Sequence, residues 1–213
     1  MEKIAIIGAG GFGREVKTLI DDINKINPVY EIIGFFDDGI ENGTLVNGLP
    51  VLGTIASINN IDYLLKLALG IGIPAIKEKV VLSIENNQVV FPILIHPSAI
   101  ISKDDVTIGK GTIICAGNII TCNIKLKDFI TLNLNCTVGH DTVIEDFSSF
   151  MPAVNISGEV LIKKNVYVGT GAKIINQLSI GDNTVVGAGA VVSKTLPPNC
   201  TAVGIPAKPI KFH

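Results

Sequence analysis

"VGHDTVIEDFSSFMPAVNISGEVLI", residues 138–162, sets Val138, Ile144, Phe150, Ile156 and Ile162 six residues apart. Extended in both directions, the same step lands on Ile108, Ile114, Ile120, Leu126, Leu132, Val168, Ile174, Ile180, Val186 and Val192. All fifteen positions are apolar, and at the chain's 47% apolar composition chance would do this about once in 10⁵ registers. An α-helix cannot hold a strict six-residue period on one face, because 3.6 residues per turn rotates the apolar position away. Three short strands per 18-residue coil can, stacking Ile108, Leu126, Ile144, Ile162 and Ile180 in one interior column. Four residues after each inward position the chain mostly places something small or β-branched, such as Thr112, Cys136, Thr142, Ser148, Val154 and Ala190. The spacing predicts a β-solenoid of roughly five coils.

Residues 1–92 follow another pattern. "IAIIGAG" reads as a buried parallel strand and "FGREVKTLIDDIN" as an amphipathic helix. "YEIIGFFDD" and "DYLLKLALGIG" read as further strands, and "PAIKEKVVLSIENN" as a helix with Pro in its first turn. This is a small α/β domain with a parallel sheet. The prolines of "VFPILIHPSA" mark the boundary, giving domains 1–92 and 98–196 and a tail, 197–213.

With 22 Gly, no Trp, 17% charged residues and a net charge of −2, the chain is neither disordered nor built for nucleic acid. No apolar run approaches the ~18 residues of a membrane span, and "KIAIIGAG" at the start is unlike a secretory leader; a cytoplasmic protein is expected. Cys115, Cys122, Cys136 and Cys200 show no CxxC pairing and are expected to be reduced thiols. His96, His140 and His213 are too scattered for a three-histidine zinc site, so no metal is expected.

His140 stands two residues after an inward position, near a corner of the coil, where a solvated surface histidine is the plainer reading and a reactive one also fits. Its stacked neighbour Gly158 leaves space beside the ring. "GAGGFG", residues 8–13, fits G-x-G-x-x-G, a strand-to-helix turn whose helix N-terminus can receive phosphate; Asp37 and Asp38 fall about 25 residues on, where a ribose-binding carboxylate would lie. The same glycines also suit a purely structural tight turn.

The hexads, "GAGAVVSKTLPPN", "VGIPAKPIK", "GAGGFGRE", "FFDD" and "IHPSAIIS" together resemble the bacterial hexapeptide-repeat nucleotide-sugar acetyltransferases. That group includes the sialic-acid O-acetyltransferase-like proteins and the bacillosamine-type amino-sugar N-acetyltransferases. The resemblance implies a left-handed parallel β-helix following the α/β domain, a homotrimer, and acetyl-CoA as cosubstrate. It implies an N-acetyltransferase acting on an amino group of a UDP-linked amino-deoxy sugar; sialic-acid-type O-acetylation and a non-catalytic nucleotide-sugar-binding scaffold are the alternatives. By the same resemblance His140 is the catalytic base, with Asp141 and Asn133 beside the reaction. Gly8, Gly10, Gly11, Gly13, Asp37, Asp38, Gly72 and Lys77 would hold the nucleotide sugar. Gly158, Gly187, Gly204, Pro206, Ala207 and Lys208 would meet coenzyme A. Ser149 departs from the pattern, since some amino-sugar members carry a second histidine there.

Overall fold

The computed structural model describes residues 1–213. The N-terminal domain runs β1 (Glu2–Ile7), α1 (Gly11–Ile26), β2 (Tyr30–Phe36), β3 (Leu45–Val46), β4 (Leu49–Gly53), a 3₁₀ turn (Ile55–Asn60), β5 (Leu65–Leu69), α2 (Pro74–Leu82) and β6 (Val89–Val90). The sheet order is β3-β4-β2-β1-β5-β6, parallel except for the β3–β4 hairpin. That hairpin was not anticipated, and α2 stops at Leu82, five residues short of the stretch read as helix.

The remainder is a solenoid with three parallel faces. The first face begins with Leu94–Ile95, Ile113–Ile114, Thr131–Leu132 and Ser149–Phe150; the second includes Ile119–Ile120, Thr137–Val138 and Asn155–Ile156; the third includes Ile124–Leu126, Val143–Ile144 and Leu161–Ile162. From Ile114 to Val192, every sixth residue is at most 2% exposed, as the period requires. Each such side chain contributes about 1.5–3 kcal/mol of burial. A second inward column carries hydroxyls: Thr112, Thr142, Ser148 and Thr184 are fully buried and each donates to a carbonyl of the next coil.

The corners explain how two-residue strands turn so sharply. Every sixth residue from Asp105 to Gly189 has a left-handed backbone, φ between +50° and +72°. Ten of these fifteen are Gly, Asn or Asp, the residues that tolerate it. A non-glycine residue there costs roughly 1–2 kcal/mol, about what one inward side chain offsets, so the corners persist because the core over-determines them.

Two of the costliest corners, Phe129 and Phe147, stack with ring centroids 5.0 Å apart beneath the N-terminal domain, and Phe91 meets Phe129 edge-on at 5.2 Å. They share one apolar cluster with Leu67, Leu69 and Val80. On the same face α1 packs Val16 and Leu19 with Leu94, Ile113 and Cys115. The N-terminal domain is thus docked on the first face. The boundary needs one correction: the first rung, Leu94–Ile95, begins four residues before residue 98. The tail is not separate from the solenoid either. Cys200–Val203 extends the first face, and Lys208–Phe212 pairs back antiparallel to it.

Candidate active site

The corner after Thr137–Val138 brings together what the strand period alone would separate. Neighbouring residues on a strand point to opposite faces, but Asp141 has φ +57°, and this bend turns its carboxylate back onto the preceding side chain. Asp141 Oδ2 lies 2.8 Å from His140 Nδ1. The other carboxylate oxygen, Oδ1, accepts from Asn123 Nδ2 at 3.0 Å, one coil earlier. The bond from His140, then that from Asn123, hold the Asp141 carboxyl below the usual carboxylate range. With Nδ1 facing an anion, the neutral ring carries its proton on Nδ1 and presents a lone pair on Nε2. That nitrogen lies over Gly158, where a Cβ would sit 2.4 Å from it. Glycine at 158 therefore gives the ring its place.

Asn133 is 5% exposed, with Oδ1 accepting from Leu134 N at 2.7 Å and its carbonyl from Asn118 Nδ2 at 2.9 Å. It stands at the other end of the second face's strand Thr137–Val138 from His140. The structure does not bring these two residues together within one chain. Cys136 is fully buried, and burial pushes its thiol up to about 11, which suits packing and not nucleophilic attack.

In the N-terminal domain the turn after β1 is shaped as the glycine pattern requires. Gly8 has φ +92°, and a Cβ on Gly13 would fall 1.8 Å from Gly8 O, so both are needed for the turn and for helix–sheet contact. Gly10 and Gly11 are different: they are exposed and a Cβ on either meets nothing within 4 Å. Gly10 caps α1 without a side-chain hydrogen bond, leaving the first-turn N–H groups facing outward. Asp37 is committed to this loop, accepting from Ala9 N and Gly39 N at 2.8 Å each. Asp38, exposed, accepts from Ile55 N and is the more open carboxylate. Gly72 is half-buried, with only Met151 Cε near its Cβ position at 3.7 Å.

Lys77 requires a correction. Expected to line the nucleotide-sugar site, it is 1% exposed in the seam between domains. Its Nζ donates to Phe129 O at 2.7 Å, Ser149 Oγ at 2.9 Å and Thr131 Oγ1 at 3.1 Å. Ser148 O lies 3.4 Å away as a fourth oxygen, and burial pulls this ammonium down to about 7. Lys77 pins α2 to the solenoid and engages the Ser149 hydroxyl there. The neighbouring Glu78 pairs with Lys164 and accepts from Asn165 Nδ2, which keeps its carboxyl below the usual range and adds a second anchor.

Toward the C-terminus, Gly187 approaches Val203, Gly204 has φ +98°, and Ala207 N donates to Val191 O at 2.8 Å. The Gly204–Ala207 turn, with Pro206 in a cis bond, thus closes the edge of the second face, while Lys208 stays exposed. No group of three His, Cys, Asp or Glu is placed to hold a metal ion, and no helix is long and apolar enough to cross a membrane. Asn123 was missed in the sequence; its signal was its place one 18-residue coil before Asp141.

A profile described as the PglD N-terminal domain matches residues 3–84, and one described as bacterial transferase hexapeptide (six repeats) matches residues 159–194. GDP-perosamine N-acetyltransferase of Escherichia coli O157:H7 is 33% identical over 99% of this chain and 97% of its own length. The acetyltransferase domain of PglB from Neisseria gonorrhoeae FA1090, in complex with acetyl coenzyme A, superposes with a TM-score of 0.88 at 31% identity, covering 98% of this chain and 99% of that one. PerB from Caulobacter crescentus, in complex with CoA and GDP-perosamine, gives a TM-score of 0.85 at 27% identity, covering 99% of this chain and 98% of the other. A hexapeptide solenoid, an open glycine turn and a histidine held by its neighbouring carboxylate thus coincide with likeness along the whole chain: it belongs to the bacterial amino-sugar N-acetyltransferases, acetyl-CoA-dependent enzymes built on the left-handed hexapeptide-repeat β-helix.

Proposed function

We propose that the chain acetylates the amino group of a nucleoside-diphosphate-linked amino-deoxy sugar, with UDP as the first nucleotide to test. The observation that carries this is His140 Nε2, open above Gly158 while Nδ1 is held by Asp141 at 2.8 Å. Acetyl-CoA supplies an activated thioester. The acceptor nitrogen attacks its carbonyl carbon and the C–N bond forms, His140 Nε2 takes the nitrogen's proton, and the C–S bond breaks to release the thiolate of coenzyme A, to which the imidazolium returns that proton. Backbone N–H groups of the coils would support the oxyanion. Gly10, Gly11 and the first turn of α1 would hold the diphosphate, with Asp38 toward the nucleoside. Gly187, Gly204, Pro206, Ala207 and Lys208 would border coenzyme A at the end where the tail closes the solenoid.

The site has two parts, and one chain separates them. The N-terminal domain docks on the first face, whereas His140 stands at the corner between the second and third faces, opposite that domain. A sugar held at residues 8–13 therefore meets His140 of another copy, which supports a homotrimer with shared sites. Light scattering should report three chains per particle; a monomer at working concentration would overturn the shared site.

The test of the activity is thiol release from acetyl-CoA against a panel of UDP-linked amino sugars, GDP-perosamine and free sialic acids. Turnover on a nucleotide-linked amine, with none on the hydroxyl acceptors, is the expected result. Release confined to sialic acids would reverse the acceptor assignment, and nucleotide binding without release would leave a binding scaffold. Gly10→Val should weaken nucleotide-sugar binding at least tenfold, because the side chain obstructs phosphate approach to backbone N–H groups. Acetyl-CoA binding should be unchanged, since position 10 has open space and the fold accepts the substitution. Titration calorimetry with both ligands checks this, and equal loss of both would refute the assignment of the turn.

A further inference from the structure

The His140–Asp141 pair is exposed: the side chains are 56% and 49% accessible. Exposed ion pairs are worth little on their own, because both partners exchange freely with water. A base that must keep one tautomer and one direction needs its carboxylate fixed from a second side. The structure offers one donor for this, Asn123 Nδ2, 3.0 Å from the Asp141 oxygen that His140 does not use.

We propose that Asn123 is a positioning residue for acetyl transfer, locking the Asp141 carboxylate so that His140 keeps Nε2 aimed across Gly158. This rests on the reading of His140 as the base. Asn123 and Asp141 occupy the same corner in successive coils, both with φ +57°. The Asn123 backbone is itself fixed, its N–H donating to Asp104 O at 2.9 Å. With one carboxylate oxygen tied to the coil before and the other to the imidazole, rotation about the Asp141 side chain breaks at least one hydrogen bond. The charged groups sharing this corner column are Asp105 in the coil before Asn123 and Glu159 in the coil after Asp141. Glu159 would repel the Asp141 carboxylate toward the coil before, where the Asn123 amide donates to it and fixes its position. The column repeats the device once more: Gln177 Nε2 donates to Glu159 Oε2 at 3.2 Å. That second rung meets His140 only through the backbone, Glu159 N donating to His140 O at 2.7 Å, and its carboxylate takes no bond from an imidazole, so it is an internal control for the side-chain device.

The experiment compares Asn123→Gly, Asn123→Asp and Gln177→Gly by steady-state kinetics across pH, with thermal melts alongside. Glycine keeps the left-handed corner without strain and removes only the amide. For Asn123→Gly, kcat should fall about threefold to tenfold, the worth of one hydrogen bond, with KM for acetyl-CoA unchanged. Asn123→Asp sets a carboxylate against Asp141, so the rising limb of the pH–rate profile should move to higher pH by about half a unit or more. Gln177→Gly should retain wild-type kcat and an unmoved limb. In a His140→Ala background Asn123→Gly should cause no further loss. Wild-type kcat and an unmoved limb in Asn123→Gly would overturn the proposal, as would an equal loss in Gln177→Gly or a loss that persists without His140. The failure of the base reading itself would appear separately, as activity retained by His140→Ala alone.

Discussion

His140→Ala should lower kcat by about 10²–10⁴, the range expected for removal of a positioned general base. On the proposed reading of His140 as the base, only its Nε2 lone pair would take the acceptor's proton; Asp141, one residue further along the corner, is left behind tied to Asn123. The fold should be unaffected, since the imidazole is more than half exposed and belongs to none of the apolar clusters. Acetyl-CoA affinity should change far less than kcat, because the histidine acts on the acceptor's proton. The rising limb of the pH–rate profile should vanish from the residual activity. Retention of more than about a third of wild-type kcat on the best acceptor would place the base elsewhere.

Gly158→Ala should cost about 10²-fold in kcat although residue 158 bears no reactive group. A methyl there would lie 2.4 Å from His140 Nε2, 2.5 Å from Cε1 and 2.8 Å from Cδ2. The ring must move, and displacement of a reacting group by about 1 Å is enough for a loss of this size. The backbone at Gly158 is not left-handed, and the imidazole can swing into solvent, so the melting temperature should stay within a few degrees of wild type. A kinetic loss with an unchanged melt is the expected signature; kcat within threefold of wild type would show that the ring works from another position.

The middle of the solenoid was legible because inward residues recur without interruption from Ile108 to Val192. Its first coil was hidden for a definite reason. The inward residues before Ile108 are Ile101 and Ile95, so one step there is seven residues and the rung partners Leu94–Ile113 are nineteen apart. A strict six-residue scan meets Ser102 and stops. The corners were illegible where Phe129, Phe147, Ala153, Glu159 and Gln177 hold a conformation their side chains do not announce. Lys77 misled for a similar reason. It shares a buried helix stripe with Pro74 and Val80, but a lysine at such a position reads as solvent-facing until its four oxygen partners, Ser148 O included, are placed. Among the site residues, the corner place of His140 and the glycine beneath it followed from the period, whereas the reading of His140 as the base came from the resemblance. The contact between His140 and Asp141 did not, because it depends on the backbone bend at 141.

The eighteen-residue register sets a rule for how this chain can change length over generations. Through the central coils each strand pairs with the one eighteen residues away, as Thr131 with Ser149 and Ser149 with Tyr167. Gain or loss of one residue inside a strand would turn every following inward side chain outward. Gain of a whole coil would preserve them all and lengthen the rod by about 4.8 Å. Between residues 129 and 165 such a duplication would separate the anchors of Lys77 and Glu78 and tear the two domains apart. Beyond Gly171 it would leave those anchors and the His140 corner untouched. Whole-coil growth of this enzyme thus spares the interdomain anchors only between Asn165 and the closing hairpin, while the seven-residue step from Ile101 to Ile108 shows that a corner can absorb a single residue.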